Sequence, residues 1–179
     1  MDSYQFTNLI ALLGVLSRAA DIMSTKLVSP TLALEANPLM RRLGWAGAYP
    51  SILLGLVAYW HVELGVMVIV ASLLVAGSNL FRGWYSRFVG EKEVERLMIQ
   101  AARQGRLRTA IAFTCGGGLC ITVAGALTMW LSGPAQWGYW AGSGVAVYGL
   151  AIAGHGSAAV VRWFRKAAKL QSDASEASP

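Results

Sequence analysis

The chain has 179 residues, of which 55% are hydrophobic and 13% charged, with a net charge of +6, and its mean hydropathy is +0.49. Soluble domains carry about 25% charged residues, so this composition excludes an ordinary soluble domain and predicts an all-α integral membrane bundle. The positive balance does not point to nucleic acid, because cytoplasmic loops of membrane proteins collect Lys and Arg in any case.

No linker or internal repeat divides the chain, so residues 1–169 read as one transmembrane domain. Five apolar stretches reach or approach the roughly 20 helical residues that a hydrocarbon core requires: 6–29, 45–61, 64–82, 109–131 and 139–162. The first has a signal-like apolar run from Phe6 to Leu16, but Asp2 gives the leading region the wrong sign. It is expected to remain as the first membrane helix.

Arg18 and Asp21 lie inside this helix, about 16 and 12 Å from its cytoplasmic end at Ser29. Each charge at that depth costs about 2.5–3.5 kcal/mol, and each Leu, Ile, Phe or Val returns only about 0.3–0.6. The charges must therefore face protein or water. Their i, i+3 spacing lets them neutralise each other; Ser24 and Thr25 extend the same face, and Lys26 can snorkel to the boundary. Such a group is either a buried ion pair that fixes helix rotation or part of an ion or solute site.

Pro30 ends the helix by pushing Ser29 out of the α region. Asn37-Pro38 has the form of an N-cap followed by proline at the first helical position. Glu35 either benefits from that helix N-terminus or converges with Asp21 and Asn37 on a cation, for which hard oxygen ligands suit Mg²⁺ or Ca²⁺.

Asp21-x-x-Ser24-Thr25 followed by Glu35-x-Asn37-Pro38-Leu39-Met40-Arg41 resembles the hallmark of a family of small prokaryotic multi-pass membrane proteins with no assigned function. That hallmark joins an Asp-x-x-Thr-Thr element to a Glu-x-Asn-Pro element across a short gap that usually contains glycine. The resemblance covers about the first 80 residues, with Asn79 as a further polar element. Here Ser24 replaces the first Thr, and the gap, LVSPTLAL, has no glycine. The resemblance implies a shared fold and polar cluster in a bacterial or archaeal inner membrane, and no particular chemistry.

The second stretch is short and contains Pro50, so residues 45–82 form either two spans or a broken hairpin. His61 and Glu63, at the turn between the second and third stretches, are weak candidates for a metal or proton site, alongside Asp21 and Glu35. Between the third and fourth stretches, residues 90–108 are expected to form an amphipathic helix, with Val94, Leu97, Met98 and Ala101 on one face. It would lie on the cytoplasmic membrane surface or dock a protein partner.

The last two spans contain small-residue pairs: Gly118 and Thr122, Ala124 and Thr128, Gly142 and Ala146, Gly154 and Ala158. These serve packing within the bundle or a homodimer. Cys115 and Cys120 read as small buried apolar residues, His155 as a helix–helix hydrogen-bonding group, and 170–179 as a disordered tail.

Lys and Arg cluster after the first, third and fifth stretches and are absent near His61 and between Ser132 and Gly138, which places the N-terminus outside and the C-terminus in the cytoplasm. The seven tryptophans all fall near proposed span ends, where indole rings prefer to sit. No hydrolase, metalloprotease or phosphate-loop motif is present, so an enzyme is the weaker expectation. Three functions remain open. The cluster of Arg18, Asp21, Ser24, Thr25, Glu35, Asn37 and Asn79 could bind or conduct a cation, proton or small polar solute. The protein could instead be an accessory subunit of a larger membrane complex with a structural ion pair, or an intramembrane metal-dependent enzyme acting on lipid.

Overall fold

A computed structural model describes residues 2–134 and 136–176, which are helical almost throughout, with no strand among the described residues. The elements are α1 (Ser3–Val28), α2 (Pro38–Ala48), a 3₁₀ segment (Tyr49–Tyr59), α3 (Val62–Val89), α4 (Glu91–Gln104), α5 (Leu107–Ser132), α6 (Trp137–Ala151), a π-helical turn (Ile152–Gly156) and α7 (Ser157–Glu176). Four helices are long and apolar enough to cross a membrane: α1, α3, α5 and the continuous run Trp137–Ser175.

The expected second span differs. Residues 45–61 do not form a regular α-helix: α2 kinks at Gly44, whose φ of 65° lies in the region glycine enters without steric cost, and the chain then winds as an 11-residue 3₁₀ helix. This segment runs alongside α1 from Tyr49, whose hydroxyl accepts from Lys26 Nζ at 3.0 Å, to Ala58, which is buried with Ile10. Sixteen residues of α1 separate those levels, about 24 Å at 1.5 Å per residue; the nine steps from Tyr49 to Ala58 cover about 18 Å as a 3₁₀ helix, against about 14 Å as an α-helix. The steeper rise carries a short stretch further along α1 than the same residues would reach as an α-helix.

Three contacts set the direction of α3. Gly65 packs against Ile10 and Ala58, Asn79 bonds Ser24 and Thr25, and Gly83 approaches Val28. The register is constant, so α3 is parallel to α1 and the 3₁₀ segment makes the return between them. α5 and α6 are antiparallel: Gly118 meets Gly149 and Ala153, and Gly125 meets Gly142 and Ala146. Phe6 and Trp137 stack at 5.1 Å, and Gly144 packs on Met67 and Val70, which joins the two halves.

The interior is small and polar. Ser17, Asp21, Ser24, Ser72 and Ser143 are buried, whereas Phe81, Phe88, Phe113 and Trp130 are among the most exposed residues. A water-soluble bundle would invert this arrangement; small residues inside and large apolar ones outside suit a lipid surround. Two local expectations shift. Cys120 lies exposed on α5 rather than buried, and α7 continues to Glu176, into the stretch that composition assigns to a disordered tail. The last residues of that tail, 177–179, lie outside those described.

Candidate polar site in the first helix

α1 meets the 3₁₀ segment by backbone contact. A Cβ on Gly14 would sit 2.8 Å from Gly55 O, and one on Gly55 would land on Val15 N and the Gly14 carbonyl carbon. That closeness brings the guanidinium of Arg18, one turn further along, onto the start of the 3₁₀ segment. Arg18 Nη1 donates to Asp21 Oδ2 at 2.5 Å, Nη2 to Ser51 Oγ at 2.7 Å, and Nε to Ser51 O at 3.5 Å. Both partners of the ion pair are largely shielded, at 18% and 11% side-chain exposure. Ser51 Oγ in turn donates a hydrogen bond to Ala48 O at 2.6 Å.

On the other side, α3 contributes Asn79. Its Nδ2 donates to Ser24 Oγ at 3.2 Å and to Thr25 Oγ1 at 2.9 Å, and Ser24 in turn donates to Asp21 O at 2.8 Å. Two elements, the 3₁₀ segment and α3, thus converge on the polar line of α1. Towards the N-terminal end of α1 the polar line stops. Ile10, Ala11 and Ala58 form a buried apolar cluster there, covered by Phe6, Val62, Val66 and Ile69.

The loop after α1 is held by groups far away in sequence. Glu91, the first residue of α4, accepts from the Ser29 hydroxyl, from Thr31 N at 3.3 Å and from Ala33 N at 3.2 Å. Ser29 Oγ also accepts from Leu34 N at 3.0 Å. Arg162 Nη1, from α7, donates to Glu35 O at 3.1 Å, while its guanidinium carbon lies 4.3 Å from the Trp163 ring centre. Arg162 Nε and Nη2 are buried and have no hydrogen-bond partner among the described residues. Within the loop Leu32 is buried with φ of 60°, a left-handed conformation that costs a side-chain-bearing residue about 1–2 kcal/mol.

The sequence-derived candidates divide accordingly. Arg18, Asp21, Ser24, Thr25 and Asn79 come together, and Glu35 stands in the loop between α1 and α2. Asn37 does not turn toward Asp21: its Oδ1 accepts from Leu39 N at 3.0 Å and Met40 N at 3.4 Å, capping α2, and Glu35 Oε1 takes the Asn37 backbone N–H at 2.7 Å. His61 and Glu63 lie near the opposite end of α1, by the α3 register roughly 20 Å of helical rise from Asp21. Among the described residues no three His, Cys, Asp or Glu side chains gather closely enough to hold a metal. Ser51, Glu91 and Arg162 are the positioning groups that sequence reasoning missed. A serine after Pro50 or a glutamate opening a helix has local explanations, and no periodicity links either to residue 18 or 29.

α4 docks on α7 through an ion pair between Lys166 and Glu95 at 2.5 Å and through buried Val94 and Ala102. Part of the face expected to lie on lipid or receive a partner is thus used within the chain, although Met98 remains exposed. Likewise Gly118, Thr122, Gly142 and Ala146 are consumed by the α5–α6 contact. Family models, curated proteins and solved structures were compared with this chain, and none matches it.

Proposed function

We propose that this chain is a small inner-membrane bundle whose first-helix polar cluster binds a small cation or a proton arriving from the cytoplasmic end. The threading behind this reading crosses the membrane five times, with the 3₁₀ segment as the second crossing, the N-terminus outside and the C-terminus in the cytoplasm. Two features support it. The return between parallel α1 and α3 must travel the length of both, and every Lys and Arg except Arg18 belongs to the end of the bundle marked by Lys26, as the positive-inside rule requires of a cytoplasmic face.

The observation that carries the functional reading is the one-sided polar line: Arg18, Asp21, Ser24, Thr25 and Asn79 are linked on the side of α1 that leads to the loop holding Glu35, while the other direction is closed by Ile10, Ala11 and Ala58. A line closed at one end suits binding better than conduction. Oxygen donors on Glu35, Asn79, Ser24 and Thr25 are of the hard type a small cation prefers. The resemblance to the prokaryotic multi-pass family fits the loop as well: Leu32 takes the backbone conformation that a gap glycine would supply without cost.

The test is proton uptake and thermal stabilisation of the purified protein, with Na⁺, K⁺ and Mg²⁺ as probe ions. Wild type takes up one proton or one cation per chain, and Asp21→Asn and Glu35→Gln each abolish that uptake while the protein remains assembled. Equal uptake by wild type and both variants would reject the site.

A second reading, an accessory subunit with a structural ion pair, is favoured by one fact. The Arg18 nitrogens are already engaged by Asp21 and Ser51. Under it, Asp21→Asn lowers protein abundance or partner association and leaves no binding to lose.

A further inference from the structure

The outer side of α5 carries a shallow, open furrow of about 530 Å³, lined by Arg108, Thr109, Ala112, Phe113, Gly116 and Gly117. Gly116 and Gly117 face open space there: a Cβ on either would meet nothing within 4 Å. Phe113 stands exposed as one wall. Arg108 sits in the first turn of α5, and its side chain enters no ion pair among the described residues.

We propose that this furrow holds one anionic phospholipid of the cytoplasmic leaflet, with the headgroup phosphate on Arg108 and Thr109 and an acyl chain lying over Ala112, Gly116 and Gly117. This rests on the threading above and is independent of the Asp21 site. Two arguments select the occupant. Arg108 is an unpartnered cation at the level where phosphates lie, and guanidinium geometry suits phosphate. From Arg108 to Gly117 the helix rises about 14 Å, close to half of a hydrocarbon core about 30 Å thick. The furrow therefore has the length of one leaflet.

A second protein helix is the competing occupant, and it differs in two ways. It would not need the cation at the mouth, and it would extend past Gly117 along the bulkier surface of Val123 and Leu127, both of which stand exposed.

The experiment is native mass spectrometry of the full chain released from nanodiscs containing phosphatidylglycerol and phosphatidylcholine. Wild type retains one phosphatidylglycerol. Arg108→Gln lowers that retention about fivefold, the scale of one basic residue near an anionic surface; Arg108→Lys restores part of it; Gly116→Leu, which fills the furrow, removes it. Arg165→Gln, outside the furrow, leaves retention unchanged. Equal losses from Arg108→Gln and Arg165→Gln would mean a diffuse surface attraction and overturn the proposal. So would chain dimers that disappear in Gly116→Leu while lipid retention persists.

Discussion

The two halves of the bundle use the same device for opposite ends. In the α5–α6 pair, Gly118, Gly125, Gly142 and Gly149 let backbones touch, and the polar groups between them, such as Thr122 Oγ1 on Gly118 O at 2.9 Å, satisfy local carbonyls. In the α1–3₁₀–α3 group, Gly14 and Gly55 give an equally close approach, but the space beside them holds an ion pair, three hydroxyls and an amide. Close helix approach in a membrane thus does not by itself call for charge. The second half shows that such packing is complete without it, so the Arg18–Asp21 cluster needs an explanation of its own.

The largest effect separates packing from charge. Arg18→Met alone leaves Asp21 buried without its cation and should destabilise the protein by about 3–5 kcal/mol, whereas Arg18→Met combined with Asp21→Leu should come close to wild type in stability. Thermal unfolding in detergent reads both. A double variant as unstable as the single one would mean that the pair also holds the fold in place. In either variant the binding described above is lost.

Next come the glycine contacts. Gly55→Ala and Gly125→Ala both force a methyl group onto neighbouring backbone and should cost about 1–3 kcal/mol each. Unfolding measurements should place them together, while proton or cation uptake changes only for Gly55→Ala, because only that contact seats Arg18 on Ser51.

A smaller effect concerns the loop. Glu91→Gln replaces a carboxylate that accepts from Ser29, Thr31 and Ala33, and hydrogen bonds to a charged group are worth about 1.5–3 kcal/mol. Amide exchange of residues 31–34 should accelerate, with no change in α5 or α6.

The smallest is at the surface. Arg96 donates to Glu93 at 2.8 Å, and that hydrogen bond holds the Glu93 carboxyl below its ordinary 4.5. A depressed acid contributes stability above its ordinary range and loses it as pH falls through the folded value. Because the pair is exposed, Arg96→Gln should leave the melting temperature essentially unchanged at pH 7 and only flatten its acid limb slightly.

The sequence makes one half of the site readable and hides the other. Arg18 and Asp21 stand out because two charges deep in an apolar run carry a transfer cost that lipid cannot offset, and their i, i+3 spacing puts them in reach of each other. Asn37 shows the limit of that reasoning. Its capping role and its ligand role both fit the residues Asn-Pro, and only the positions of Leu39 N and Met40 N decide between them. Ser51, Glu91 and Arg162 approach from elements 33, 62 and 127 residues away from the groups they contact, a relation that no local pattern encodes. The 3₁₀ segment was hidden for another reason: hydropathy reports how apolar a stretch is and is silent on how steeply it rises, so a length short for an α-helix could not be matched to the height it spans.

Infrared difference spectroscopy of the carboxylate bands, recorded as the purified protein is acidified or given Na⁺, K⁺ or Mg²⁺, addresses the central claim most directly. The predicted result is one carboxylate component in wild type, beyond the bands of the exposed acids, that is lost in Asp21→Asn and in Glu35→Gln and persists in Glu63→Gln. A wild-type spectrum that does not respond to any of these additions, or a signal that survives Asp21→Asn unchanged, would contradict it.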